Sequence, residues 1–206
     1  MHRLPAALVA LVAAAVLLTG CDSVAPAAFA CKVDVTTPDL VKDREAAGIA
    51  DCTALPTESG AADLPDLAID CLGSTAPVSL ADVKGPAIIN FWSTTCAPCR
   101  EEMPVLQQFH ETYGSRVPLL GVNYLDTYPA AAIDFARMKG VTYPSAADAC
   151  GDLQKSDLVI KGLPQFLFVR ADGSVEQAAG GLDSLDEVVA LVKQHLGIDL
   201  TEKAAP

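Results

Sequence analysis

Pro86 to Trp92 reads Pro-Ala-Ile-Ile-Asn-Phe-Trp, and a few positions later comes Cys96-Ala97-Pro98-Cys99. This junction constrains the fold more than any other part of the chain. A nearly continuous apolar run of this kind marks a strand buried on both faces, inside a sheet. The stretch after it predicts a helix over 97–113 that stops before Gly114. The two cysteines therefore sit where a central strand turns into a helix. The same placement carries chemistry. Free backbone N–H groups and the positive dipole end gather at a helix start, and both favour a thiolate. A thiolate is the attacking species in disulfide exchange. Cys99 lies one helical turn further in, within reach of a mixed disulfide on Cys96. Pro98 falls in the first turn, where its missing N–H costs little.

The flanking pattern alternates strand and helix, an α/β layer arrangement. Short strands are expected at 67–71, 77–79 and 142–145, and a buried one at 117–124. Pro129–Lys139 reads as a helix closed by Gly140. Ala171-Asp172-Gly173, between 165–170 and 174–178, is a hairpin signal. Ser184 caps a last amphipathic helix that ends at Gly197. Upstream, Thr37-Pro38-Asp39 predicts the start of a helix running to Ala47, with Gly48 just past its end.

The N-terminus reads as an address. Met1-His2-Arg3 is basic, Leu4 to Leu18 is almost wholly apolar, and small residues follow. Leu18-Thr19-Gly20-Cys21 resembles the lipobox of bacterial lipoproteins. That resemblance implies cleavage before Cys21 and a diacylglycerol on its sulfur. The alternative is an ordinary secretory signal cut after Ala28-Phe29-Ala30. On the lipobox reading, residues 1–20 are the signal, 21–63 a tether and N-terminal extension, and 64–200 the α/β domain. Asp and Glu outnumber Lys and Arg 26 to 14 in the 206 residues, a formal charge of −12. Nucleic-acid binding depends on Lys and Arg to neutralise phosphate, so that class of partner is excluded. Hydrophobic residues make up 51%, which excludes wholesale disorder.

Residues 64–197 resemble a thioredoxin-like domain of the TlpA/ResA type, the exported thiol–disulfide oxidoreductases. Phe91-Trp92 ahead of Cys96 fits that family, as does the run Arg100-Glu101-Glu102-Met103-Pro104. Gly121-Val122-Asn123 fits the strand leading to the family's inserted helix. Gly162-Leu163-Pro164 resembles the cis-proline loop that faces the active cysteines. The resemblance implies a thioredoxin-like fold, with a central mixed sheet flanked by helices and an N-terminal helical extension. It implies that the Leu163 backbone pairs with a bound substrate strand beside Pro164. An acidic residue at the place of Asp126 assists proton transfer in ResA-type proteins; the alternative here is a solvated or helix-capping Asp. Glu101 and Glu102 read as first-turn residues that favour the helix dipole. One departure stands out: the family has Trp immediately before the first Cys, and this chain has Thr95.

The chain holds seven cysteines. Setting aside Cys21, Cys96 and Cys99 leaves Cys31, Cys52, Cys71 and Cys150, an even number that suggests structural disulfides in an exported protein. Cys52–Cys71 closes a short loop and is the favoured pair, with Cys31–Cys150 following; buried free thiols are the alternative. A structural zinc site at Cys96 and Cys99 lacks a second ligand pair, since His2, His110 and His195 have no ligand-like spacing. No metal or cofactor is implied. The leading expectation is a membrane-tethered, extracytoplasmic oxidoreductase that reduces disulfides of exported proteins, as in cytochrome c maturation. Its partners would be exported protein thiols and a membrane redox donor or acceptor. Alternatives are a disulfide-forming oxidant, a peroxiredoxin-like peroxidase using Ser93 and Cys96, and a non-catalytic binding lipoprotein.

Overall fold

The computed structural model describes residues 31–56 and 63–201. The segments expected to be a signal (1–20), a lipidation site at Cys21 and part of the expected tether lie outside the described residues. Met1–Cys31 forms one unit and Lys32–Pro206 another; every element below belongs to the second. Its helices are α1 (Pro38–Ala47), α2 (Ala97–Tyr113), α3 (Pro129–Met138) and α4 (Leu185–Leu196). Its strands are β1 (Ala68–Cys71), β2 (Pro77–Ser79), β3 (Ala87–Trp92), β4 (Leu119–Tyr124), β5 (Ser145–Asp148), β6 (Gln165–Val169) and β7 (Val175–Ala179). Among the described residues no helix is long and apolar enough to cross a membrane.

The seven strands form one sheet in the order β2-β1-β5-β4-β3-β6-β7. β3 runs parallel to β4, and β4 to β5, while every other pairing is antiparallel. The sheet is therefore mixed. β3, β4 and β6 are buried along their whole length, which is why their sequences do not alternate. β7 is an edge strand, half-buried at most.

The two faces are covered differently. Ile88, Trp92, Leu119, Phe166 and Phe168 point to one face. All four helices bury their apolar residues there, through Leu40, Met103, Phe109, Ile133 and Val192 among others. Ile89, Phe91, Leu120, Val122 and Leu167 point to the other. That face is covered by loops and short 3₁₀ turns carrying Cys52, Leu55, Leu80, Val83 and Leu153.

The strand expected at 142–145 begins three residues later, at Ser145. Pro144 has no N–H to give to a ladder. The Thr142 N–H donates instead to Gln107 Oε1 at 2.8 Å, and the Thr142 carbonyl accepts from Ala50. Pairing starts with Ser145 opposite Gly121. The extension forms as its sequence implies. Thr37 accepts from the Leu40 N–H, and Gly48 has φ 73°, the left-handed conformation that glycine reaches cheaply. Buried Arg44 fastens α1 to the domain, donating to the carbonyls of Gly73 at 2.9 Å and Ile49 at 2.7 Å.

Candidate active site

β3 delivers the chain to the front edge of the sheet, and α2 begins at once. Cys96 is the N-cap of α2, and its Sγ accepts the Cys99 N–H at 3.2 Å. Capping is normally the work of a side-chain oxygen; here a sulfur satisfies one of the helix's first donors. Cys96 and Cys99 form a disulfide, with Cα atoms 5.3 Å apart. Cys96 is half-buried and Cys99 wholly buried, so only one of the two sulfurs faces solvent. Pro98 occupies the first turn.

The loop before Cys96 is held from below by Asp126. Its Oδ2 accepts from the Thr94 N–H at 2.8 Å, the Thr94 hydroxyl at 2.7 Å and the Asn123 amide at 3.2 Å. Its Oδ1 takes the Tyr128 N–H. These four hydrogen bonds on one buried carboxylate tie β4 to the loop bearing the cysteines.

A second buried carboxylate lies on α2 itself, and its burial is not read from the sequence. Glu102 reads from sequence as a first-turn residue favouring the dipole; α2 starts at Ala97, which puts Glu102 in the second turn, and it is 1% exposed. It stands three residues after Cys99, on the same inward face of the helix. Its Oε1 accepts from Asn90 Nδ2 at 3.0 Å, and its Oε2 accepts from the Gly181 N–H at 2.8 Å and the Leu182 N–H at 3.4 Å. Burial pushes its pKa up, and these hydrogen bonds only partly oppose the shift. Tyr143, fully buried, is also pushed up, by burial first and then by the Glu102 charge. One sequence signal could have exposed Glu102. Asn90 is a polar residue inside an otherwise apolar central strand, and such a residue needs a buried polar partner.

The Leu163–Pro164 peptide bond is cis, as the resemblance implies. The Pro164 carbonyl accepts from the Gly180 N–H at 2.9 Å. Gly180 is required by close approach: a Cβ there would lie 2.6 Å from Pro164 Cγ and 2.8 Å from Glu102 Oε2. Pro98, Leu163, Pro164 and Gly180 line one cleft of about 470 Å³. A second cleft of about 340 Å³ lies on the other side of the loop, lined by Ser93, Thr95, Leu125 and Leu163 among others. The structure thus brings Cys96, Cys99, Pro164 and Glu102 to one end of the sheet, with Asp126 beneath.

The remaining cysteines lie elsewhere. Cys52 and Cys71 are bonded, Cα atoms 5.9 Å apart, and join a 3₁₀ turn of the extension to β1. Cys31 and Cys150 are both disulfide-bonded. His195 is a packing residue, stacked on Phe168 at 4.6 Å and paired with Glu176 at 2.7 Å. His110 packs edge-on against Tyr143.

The AhpC/TSA family model matches residues 61–178, more than half of the chain. The chain is 31% identical over 127 residues to the thiol:disulfide interchange protein HelX of Rhodobacter capsulatus, covering 61% of this chain and 70% of that one. It is 30% identical over 113 residues to the thiol-disulfide oxidoreductase ResA of Oceanobacillus iheyensis, covering 54% of this chain and 58% of that one. Among solved structures, dsbF of MTB aligns with a TM-score of 0.55 at 26% identity, covering 64% of this chain and 98% of that one. The sequence match, the shared fold and the cysteine pair at the start of α2 agree: the chain belongs to the AhpC/TSA family and is a thiol-disulfide oxidoreductase.

Proposed function

We propose that the chain is a membrane-tethered, extracytoplasmic reductant of protein disulfides, working through Cys96 and Cys99. The carrying observation is the asymmetry of the pair: one sulfur faces solvent at a helix start, and the other is fully buried one turn inward. Cys96 as thiolate attacks a target disulfide. A bond forms between Cys96 Sγ and one target sulfur, and the other target sulfur leaves and takes a proton. Cys99, deprotonated, then attacks Cys96 Sγ. The Cys96–Cys99 bond forms, the target's second thiol is released, and two electrons have passed to the target.

The Cys99 proton needs an acceptor. In this reading Glu102 takes it, because burial already raises its affinity for a proton. Asp126, bonded to its donors, acts as a positioning residue for the Thr94–Cys96 loop. The Leu163 backbone next to Pro164 pairs with the target strand in extended form. Cys21 carries the lipid that holds the protein at the membrane, where a membrane redox protein restores the dithiol. Cys31, Cys52, Cys71 and Cys150 are structural.

A trapping experiment tests the core of this reading. Cys99→Ser should accumulate a mixed disulfide through Cys96 with a protein substrate such as insulin. Cys96→Ser should form none, since Cys99 lacks both exposure and the terminal N–H groups. A complex trapped through Cys99 would reverse the assignment.

A further inference from the structure

One cleft beside the cysteine pair reaches Pro98, the other reaches Thr95, and the Gly162–Leu163 loop borders both. Each cleft is lined by a single charged residue, and it is the same one in both: Lys161. Composition favours the opposite sign, since Asp and Glu outnumber Lys and Arg 26 to 14. Glu102 stands behind Gly180 with its Oε2 bonded to the Gly181 N–H, and it lines neither cleft.

The Lys161 ammonium is also uncommitted. Arg44, Arg137, Lys155, Arg170 and Lys193 each pair with a carboxylate. Lys161 is exposed and makes no ion pair among the described residues. Its backbone, by contrast, is held. The Lys161 N–H donates to Gln165 Oε1 at 2.9 Å, and Gln165 Nε2 donates to the Val159 carbonyl at 3.3 Å. Gln165 is 5% exposed and begins β6, opposite Phe91 of β3. The strand that leads to the cysteines thus fixes, through one buried glutamine, the point from which Lys161 projects. A held backbone under a free ammonium lets the charge meet a substrate without first ordering the loop. The start of α2, which Pro98 brings to the same cleft, adds its positive dipole end. A polypeptide whose disulfide reaches Cys96 enters this positive region, where a neighbouring carboxylate is attracted and a neighbouring ammonium repelled.

We propose that Lys161 is a specificity-determining residue whose ammonium pairs with a carboxylate carried beside the target disulfide. The proposal rests on the assignment of Cys96 as the attacking sulfur. It adds what the catalytic pair alone does not provide, a preference among disulfides by charge.

The test uses the reduced protein and single-cysteine peptides capped as neutral S-methyl disulfides, with Asp, Asn or Lys flanking the cysteine. A fourth peptide carries Asn and a glutathione cap, which moves the carboxylates from the polypeptide to the leaving group. Each kcat/KM is divided by the rate with dithiothreitol, which removes the peptide's own reactivity. Wild type should favour the Asp peptide over the Asn peptide by about two- to fivefold at low salt, the reach of one exposed ion pair. Most of that preference should vanish at about 1 M NaCl, where charges are screened beyond about 3 Å. Lys161→Met should bring the ratio to about one, and Lys161→Glu should invert it and favour the Lys peptide. A loss in Lys161→Met confined to the Asp peptide places the carboxylate on the polypeptide; a loss confined to the glutathione cap places it there; both uphold the pairing. If neither carboxylate-bearing peptide responds to Lys161→Glu relative to the Asn peptide, the proposal is overturned. A uniform loss on all four peptides overturns it too, because Lys161 would then act on the Cys96 thiolate rather than on the substrate. Reduction that survives Cys96→Ser would instead overturn the attacking-sulfur assignment, a failure separate from any charge preference.

Discussion

At the scale of single residues the two buried carboxylates differ in what their hydrogen bonds hold together. Asp126 takes four donors from a loop and a strand; Glu102 takes three and sits against apolar surface inside the same helix as the cysteines. Burial raises the folded-state pKa of Glu102 above its ordinary value. A raised carboxylate favours the folded state below its unfolded pKa, and that stability is lost as pH climbs through the folded pKa. Glu102→Gln should therefore flatten the decline in urea midpoint between the ordinary carboxylate range and the raised value. It should also slow release of the mixed disulfide by about a hundredfold, the lower end for a lost proton acceptor, while initial alkylation of Cys96 is less affected. Stopped-flow traces of both steps against pH check this; equal slowing of both steps would remove Glu102 from the proton path. The strand–cysteine–helix junction was legible because a buried strand and a helix start each leave a sequence pattern. Glu102 was not legible, because nothing at position 102 alone says which face of the helix it lies on.

At the scale of elements, regular periodicity was readable and irregular pairing was not. α1, α2, α3 and α4 follow from caps, glycines and apolar spacing, and the structure returns each within a residue of its expected ends. β5 was displaced because its start is set by tertiary partners, Gln107 and Ala50, that local sequence cannot reveal. The loop layer over the Ile89–Phe91 face likewise has no periodic signal. It is held by a covalent tie instead. Removing it through Cys52→Ala with Cys71→Ala should lower stability by about 2–4 kcal/mol. Thermal melts of the double variant check the magnitude, and peptide insulin-reduction rates at low temperature should stay near wild type. A melt unchanged by the double substitution would mean that the loop layer is held by packing alone.

At the scale of the whole molecule the direction of electron flow is set by the potential of the Cys96–Cys99 pair against its surroundings. The pair should equilibrate with glutathione at a value nearer that of thioredoxin, about −270 mV, than that of DsbA, about −120 mV. A value near the latter would make the protein a donor of disulfides. The overall layering was accessible from sequence only in outline: a mixed sheet with helices was expected, but not that all four helices share one face. That asymmetry has a consequence for a molecule that trades in sulfur bonds. When two copies of a thiol-disulfide oxidoreductase meet, each carries a bond that the other's active thiol could cut. Cys71 is inaccessible and Cys52 is 2% exposed, so attack by a neighbouring copy must wait for the loop layer to open. The fold thereby shields its own staple from its own trade, and the lifetime of that bond is governed by how seldom the layer opens.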